Sequence, residues 1–300
     1  MTWKFRFLVA LTILVFVHRS EAQKGVFTTY STTWNGFTRV YSIYVPPNLQ
    51  QPSPAMVMVL HQTISSLQTQ PPIQVCNLLL GWEKYADEFG FLLVCPVSTW
   101  IQHVGNWWHW DSYNADFTFP IVPDDSGFLR NLIEMISPLY NIDPTRVFCT
   151  GMSSGAMMCH RLAIDSSDLV AAIATVSSVV WISTNTLPTA LGPVSVLEYH
   201  GDADPLLQYC GGTASAWGYM LLTAPTDDTL NYWLVQDSLG PNLTPLCTNG
   251  SATPGVNAAH FRGTTGVDVE FIRELGVAHT YNSALDDAIW VFFASHPKVQ

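Results

Sequence analysis

The chain has 300 residues, of which 48% are hydrophobic and only 12% charged, about half the charged share usual for a globular protein. That apolar content, with 11 Trp, 11 Tyr and 15 Phe, excludes intrinsic disorder. The formal net charge of −11 argues against a nucleic-acid partner, whose phosphates call for a basic face, and against an anionic membrane surface. No internal repeat is visible.

Lys4 and Arg6 precede an apolar run over residues 7–17, broken only by Thr12, and Ser20 and Ala22 then supply small residues at the −3 and −1 positions of a cleavage site. This order of charged, apolar and small segments predicts a signal peptide over residues 1–22, and the run is too short to span a bilayer. The expectation is a secreted mature chain, residues 23–300, with no membrane attachment after cleavage and an acidity that removal of Lys4, Arg6 and Arg19 only increases. Asn242-Leu243-Thr244 and Asn249-Gly250-Ser251 are candidate glycosylation acceptors. All six cysteines fall in the mature part, as a disulfide-permissive compartment favours. Cys210 and Cys247 lie in turn-rich sequence and are expected to form a bridge, whereas Cys149 and Cys159 flank a strand and a helix and are expected as buried thiols. No pair has the Cys-x2-Cys spacing of a structural zinc site, so no metal is expected.

In chain order, residues 37–45 (FTRVYSIYV) alternate as a strand ended by Pro46-Pro47, and residues 55–61 (AMVMVLH) form a continuous apolar run, as a strand buried on both faces does. Residues 78–89 carry helical spacing up to Gly90, and residues 91–97 (FLLVCPV) read as the next buried strand. A Trp-rich irregular stretch over 98–124 leads to a helix over 126–140, at whose start Asp124 and Asp125 are expected to interact with the dipole. Residues 147–150 form a short strand followed at once by a helix to about residue 164. Apolar strands follow at 170–176 and 193–199, then a helix over 226–237, a strand over 267–273 and a helix over 284–295. Strands alternating with helices predict an α/β fold with a mostly parallel sheet covered on both faces, filled by one catalytic domain.

Gly151-Met152-Ser153-Ser154-Gly155 has the form G-x-S-x-G, and it follows an apolar strand and opens a helix. That context predicts a nucleophile elbow, which presents Ser153 at the carboxyl end of the sheet beside a helix N-terminus. A serine nucleophile needs a base held by an acid. Asp202 and Asp204, just past the strand ending at Tyr199, both qualify as the acid by spacing. The late histidines are His260, His279 and His296. His279 sits between a strand and the last helix, where the base belongs, and His296 is expected to be a solvated terminal residue.

On these residues the chain resembles the secreted α/β-hydrolases of the polyhydroxybutyrate depolymerase-like and feruloyl esterase-like family. The resemblance runs over roughly residues 38–297. It rests on the stretches 41–47 (YSIYVPP), 124–130 (DDSGFLR), 141–147 (NIDPTRV), 150–158 (TGMSSGAMM), 200–205 (HGDADP) and 287–297 (DAIWVFFASHP). It implies the α/β-hydrolase fold, Ser153 as nucleophile, Asp204 rather than Asp202 as the orienting acid and His279 as general base. It also implies acyl transfer through a covalent intermediate, with no cofactor. The family has His-Gly after its third strand, where this chain reads His61-Gln62-Thr63. The expected oxyanion donors are the backbone N–H groups of Ser154 and Thr63, on a loop that Gln62 sends along a different path.

Trp107, Trp108 and Trp110 in the irregular segment, and Trp181 at another strand end, are candidates for stacking on substrate. His109 and His160 are expected as structural residues. The expected substrate is a polyhydroxybutyrate-type polyester or its oligomers, soluble forms being favoured because no separate polymer-binding module is recognisable. The alternative is a feruloyl or acetyl-type ester on plant polysaccharide. A reading from another class is a binding protein on a hydrolase scaffold, motivated by the Gln62 departure.

Overall fold

The computed structural model describes residues 24–50, 52–64, 81–101, 107–112, 123–180, 188–216, 219–240, 244–264 and 266–299; the expected signal peptide lies outside them. β1 (Val26–Trp34) and β2 (Phe37–Val45) form an antiparallel hairpin. Asn35 and Gly36 close it with φ of 47° and 81°, as a two-residue turn of matching twist requires. There follow β3 (Met56–Leu60), α1 (Glu83–Phe89), β4 (Leu92–Pro96) and the short β5 (Thr99–Ile101) and β6 (Trp107–His109). α2 (Asp125–Tyr140), β7 (Val147–Met152), α3 (Ser154–Asp165), β8 (Ala172–Val176) and β9 (Ser195–Gly201) continue the alternation. The rest is a hairpin of β10 (Cys210–Ala216) and β11 (Tyr219–Pro225), α4 (Thr226–Gln236), a ladder of β12 (Cys247–Thr248) and β13 (Ser251–Ala252), then β14 (Ala258–Arg262), β15 (Asp268–Glu274) and α5 (Asp286–Ser295).

Among the described residues the main sheet has nine strands in the order β1-β2-β4-β3-β7-β8-β9-β15-β14. Pairing is parallel from β4 through β15 and antiparallel at both margins. The mostly parallel sheet expected from sequence is therefore present, with antiparallel edges added. Side chains alternate across it. Met56, Met58 and Leu60 of β3 enter one core with Leu129, Ile133, Leu162 and Trp233, so α2, α3 and α4 cover that face. Val57 and Val59 enter the other core with Tyr85, Trp290 and Phe293 from α1 and α5. This two-sided burial is why the central strands read as unbroken apolar runs.

A buried ion pair ties the sheet to its helical layer. Arg39 of β2 lies 2.6 Å from Asp125, both side chains wholly excluded from solvent, and its guanidinium sits 4.0 Å above the ring of Phe128. Asp125 also accepts the Asp111 backbone N–H at 2.7 Å. Its partner is thus a fixed cation as well as a helix dipole. Asp124 caps the helix, accepting from Gly127 N at 3.0 Å. His296 is not a solvated terminal residue: it is 7% exposed, donates from Nδ1 to Phe292 O at 2.7 Å and sets Nε2 3.1 Å from Asp268.

The bridge Cys210–Cys247 is formed as expected. Cys149 and Cys159, expected as thiols, are instead bonded to each other, their Cα atoms 5.7 Å apart across the β7–α3 turn. Cys95 is disulfide-bonded as well. Loop-closure entropy predicts a loss of about 3 kcal/mol for the Cys149→Ala/Cys159→Ala double variant and about 4 kcal/mol for Cys210→Ala/Cys247→Ala, whose loop is longer. Urea unfolding of both variants checks the order, and equal stability to the parent chain would contradict it.

Candidate active site

β7 turns into α3 at Ser153, whose φ of 55° and ψ of −126° lie in a region that residues with a Cβ rarely occupy. The turn is held in place by close backbone approach. A Cβ on Gly151 would meet Leu60 O at 2.6 Å, and one on Gly155 would meet Leu60 O at 2.2 Å and His61 O at 2.5 Å. Only glycine lets the end of β3 lie against the turn. Ser153 N–H donates to Val176 O at 3.0 Å, fastening the turn to β8. The Ser153 hydroxyl takes no part in capping α3. It stands at the carboxyl edge of the sheet beside the first N–H groups of a 12-residue helix, where the dipole favours developing negative charge.

The segment after β9 carries both candidate acids, and the structure gives them different partners. Asp204 Oδ2 lies 2.7 Å from His279 Nδ1, while Asp204 Oδ1 accepts the backbone N–H groups of Leu206 at 2.8 Å and Leu207 at 2.9 Å. Burial pushes the Asp204 carboxyl up. The nearby His200 imidazole and hydrogen bonds from His279 and the Leu206 backbone outweigh it and hold the group well below the usual carboxylate range. Asp202 instead pairs with Arg273 at 2.6 Å and accepts Gly276 N–H at 2.6 Å. Ala203 N–H donates to Val277 O at 3.1 Å, and a Cβ on Gly201 would meet Val277 O at 2.2 Å. The Asp204 loop and the His279 loop are thus fastened along their length. Among the described residues no hydrogen bond joins Ser153 to His279.

Thr63 and Ser154, the expected oxyanion donors, touch through their side chains: Thr63 Oγ1 lies 3.0 Å from Ser154 Oγ and 2.7 Å from His109 Nδ1. His61 donates from Nδ1 to Gln62 O at 2.6 Å and accepts Ser98 N–H on Nε2 at 3.1 Å. These two bonds fix its neutral tautomer and the path of the loop that Gln62 alters. Burial pushes both His61 and His109 down to about 4, so neither is charged near neutrality. Sequence reasoning assigned His109 a structural role and missed its contact with Thr63, because nothing in the local pattern marks it.

Trp110 does not face a ligand. It is fully buried and donates from Nε1 to His61 O at 2.8 Å, supporting the β3 loop from beneath. Trp107 and Trp108 lie on β6, their side chains outside the described set; Trp181 and Asn242 lie outside the described residues altogether. Asn249 is on the exposed turn between β12 and β13, with φ of 52°. His260, Asp268 and Glu270 bring ligand-type atoms within 4.8 Å of one another. Arg262 at 3.1 Å and His296 at 3.1 Å already contact the shared Asp268 oxygen, so protein side chains occupy that cluster.

The sequence model of the esterase PHB depolymerase family matches residues 39–208. The chain is 28% identical over 272 residues to the bifunctional acetylxylan esterase/xylanase XynS20E of Neocallimastix patriciarum, covering 86% of this chain and 33% of that protein. It is 28% identical over 132 residues to acetylxylan esterase A of Emericella nidulans, covering 44% of this chain and 40% of that one. The chain thus spans between a third and somewhat over half of the length of the curated relatives it matches. Among solved structures it is similar to the acetyl xylan esterase from Aspergillus awamori, with TM-score 0.57 and 21% identity over 89% of this chain and 99% of that one. It is also similar to the feruloyl esterase module from Clostridium thermocellum, with TM-score 0.54 and 10% identity over 91% and 88%. These likenesses establish the α/β-hydrolase fold.

The glycine argument has a direct check. Gly155→Ala forces a methyl against two backbone carbonyls and is expected to lower stability by about 1–3 kcal/mol. A thermal midpoint equal to that of the parent chain would show that β3 can withdraw from the turn without penalty.

Proposed function

Because the chain belongs to the esterase PHB depolymerase family, we propose that it is a secreted serine carboxylic-ester hydrolase with Ser153 as nucleophile, His279 as general base and Asp204 as orienting acid. The observation that carries this reading is the 2.7 Å contact of Asp204 with His279 Nδ1, on loops at the same sheet edge as the strained Ser153 turn. Asp204 holds the Nδ1 proton of His279, which leaves Nε2 to accept the Ser153 proton as the hydroxyl attacks the ester carbonyl. The resulting oxyanion is stabilised by the N–H groups of Ser154 and Thr63 and by the α3 dipole. His279 returns the proton to the departing alcohol, and water repeats the sequence on the acyl-enzyme. Asp204, buried and donor-rich, stays anionic throughout and stabilises the imidazolium.

Two ester classes fit. The family suggests polyhydroxybutyrate-type polyester or its oligomers. The relatives named acetylxylan esterases favour a short acyl ester on plant polysaccharide, and their number makes the acetyl reading the stronger of the two. Trp107 and Trp108, on the β6 hairpin, remain the candidates for contact with the substrate chain. Residues 1–22 direct export, and Asn249, exposed on its turn, is the acceptor best placed for a glycan.

Turnover of p-nitrophenyl acetate should vanish in Ser153→Ala without change in the thermal midpoint; retained hydrolysis in that variant would refute the nucleophile. Acetylated xylan, methyl ferulate and a 3-hydroxybutyrate oligomer, offered in parallel, choose the ester class by relative kcat/KM. Expression with the native leader should yield a chain beginning at Gln23, and an intact residue 1 in the exported protein would reject the cleavage assignment.

A further inference from the structure

Beneath the acid loop lies a chain of buried polar groups that the reaction as described does not use. His200, near the end of β9, is wholly buried. Its Nε2 is 2.7 Å from Leu207 O; a carbonyl only accepts, so Nε2 carries a proton. The same nitrogen is 3.6 Å from Asp204 Oδ2. Its Nδ1 faces Glu198 Oε1 at 3.8 Å, within ion-pair but not hydrogen-bond distance, and has no hydrogen-bond partner among the described residues.

The charge on Glu198 follows from its donors. It accepts Ser178 N–H at 3.1 Å, the Ser178 hydroxyl at 3.1 Å and the Thr175 hydroxyl. Trp233 Nε1, which can only donate, is 3.0 Å from His160 Nδ1. The proton of a neutral His160 therefore sits on Nε2, 3.3 Å from Glu198 Oε2. Glu198 is surrounded by donors and is held as a carboxylate.

A neutral His200 would turn its Nδ1 lone pair toward that carboxylate and leave two buried anions, Glu198 and Asp204, flanking an uncharged ring. Uncompensated buried charge is strongly destabilising. A proton on Nδ1 places one cation between the two anions. The other groups facing the ring do not supply that charge. Tyr209 presents its ring edge-on at 5.6 Å, and the Arg273 guanidinium lies beyond it, 5.8 Å over the Tyr209 ring and paired with Asp202. Glu274, one place past the cross-strand neighbour of His200, adds only negative charge. Burial pushes the His200 imidazole down, but Asp204 and Glu198 outweigh it and raise it above the ordinary range.

We infer that His200 is a permanent buried imidazolium, the counter-charge that joins Glu198 to Asp204 and positions Asp204 as an anion for His279. The inference rests on the proposed reading of Asp204 and His279 as acid and base. His200 and His279 both face Asp204 Oδ2, at 3.6 and 2.7 Å, so the acid lies between its counter-charge and the base.

The test has two arms. Nitrogen-15 spectra of the full mature chain, with the His200 signals assigned by their loss in His200→Gln, should show both ring nitrogens protonated from pH 5 to 8. A neutral tautomer at pH 7 overturns the inference. In Glu198→Gln the His200 signals should titrate to the neutral form within that range, and a fully protonated ring there overturns the bridge. Kinetics on p-nitrophenyl acetate form the second arm. In His200→Gln kcat should fall about tenfold with KM unchanged, whereas a merely structural role would move KM as well; an unchanged kcat overturns the positioning role. If His200→Gln does not fold, Glu198→Gln with the wild-type spectra still decides the matter. Should Ser153→Ala prove active, the catalytic reading fails while the spectra still report the charge on His200.

Discussion

The structure is organised by one close approach, that of the Leu60 and His61 carbonyls to the backbone of the β7–α3 turn. Because β3 pairs with β7 in parallel, the carbonyls at its end can press on the turn only if positions 151 and 155 lack a Cβ. That contact forces α3 to start at once and leaves Ser153 at φ 55°. It also brings Thr63, two residues past His61, against Ser154. Ser153, the helix N-terminus and the expected oxyanion donors are thus placed by a single packing constraint, and the strain at Ser153 is carried by the sheet on either side of it.

How much of this was legible in the sequence follows from the same physics. Central strands buried on both faces are largely apolar, so β3, β4, β7 and β8 were readable close to their true bounds; β9 and β15, which carry Glu198 and the charged Asp268, Glu270, Arg273 and Glu274, were readable from their apolar members alone. β1, β10 and the β12–β13 ladder were not read, because their residues are mostly small or polar and no apolar period marks them; β11 (YMLLTAP), though apolar, was not read as a strand either. For β1 the Asn35-Gly36 pair was the available signal. The elbow was legible because its chemistry demands glycine at fixed offsets. The two candidate acids were not separable by spacing, because Asp202 and Asp204 share a loop and only their partners, Arg273 and His279, tell them apart. The Cys149–Cys159 bond was missed because a sharp turn brings together two cysteines that a strand and a helix seem to set apart. Trp110 and His296 were misread because burial is a property of the folded surroundings and not of the residue.

The chain has few cations, 12 Lys and Arg against 23 Asp and Glu, and several are committed to joining elements. Arg39 connects β2 to the start of α2, Arg161 on α3 pairs with Asp111 at 2.8 Å, and Arg273 on β15 holds Asp202. Each is largely buried, so its value lies in fixing one arrangement: losing either partner leaves an uncompensated charge. His200 extends this pattern into the site, where a cation supplied by imidazole lies between two carboxylates.

The stapling of the Asp204 loop to the His279 loop through Asp202, Arg273, Gly276 and Val277 has a mechanical consequence. Asp204 and His279 are held as one unit by this stapling, while Ser153 is placed separately by β7 and α3. The orientation of the imidazole is set by the loops that carry Asp204 and His279 and not by Ser153. A change confined to the β7–α3 turn therefore alters the distance from Ser153 to the ring without turning the ring.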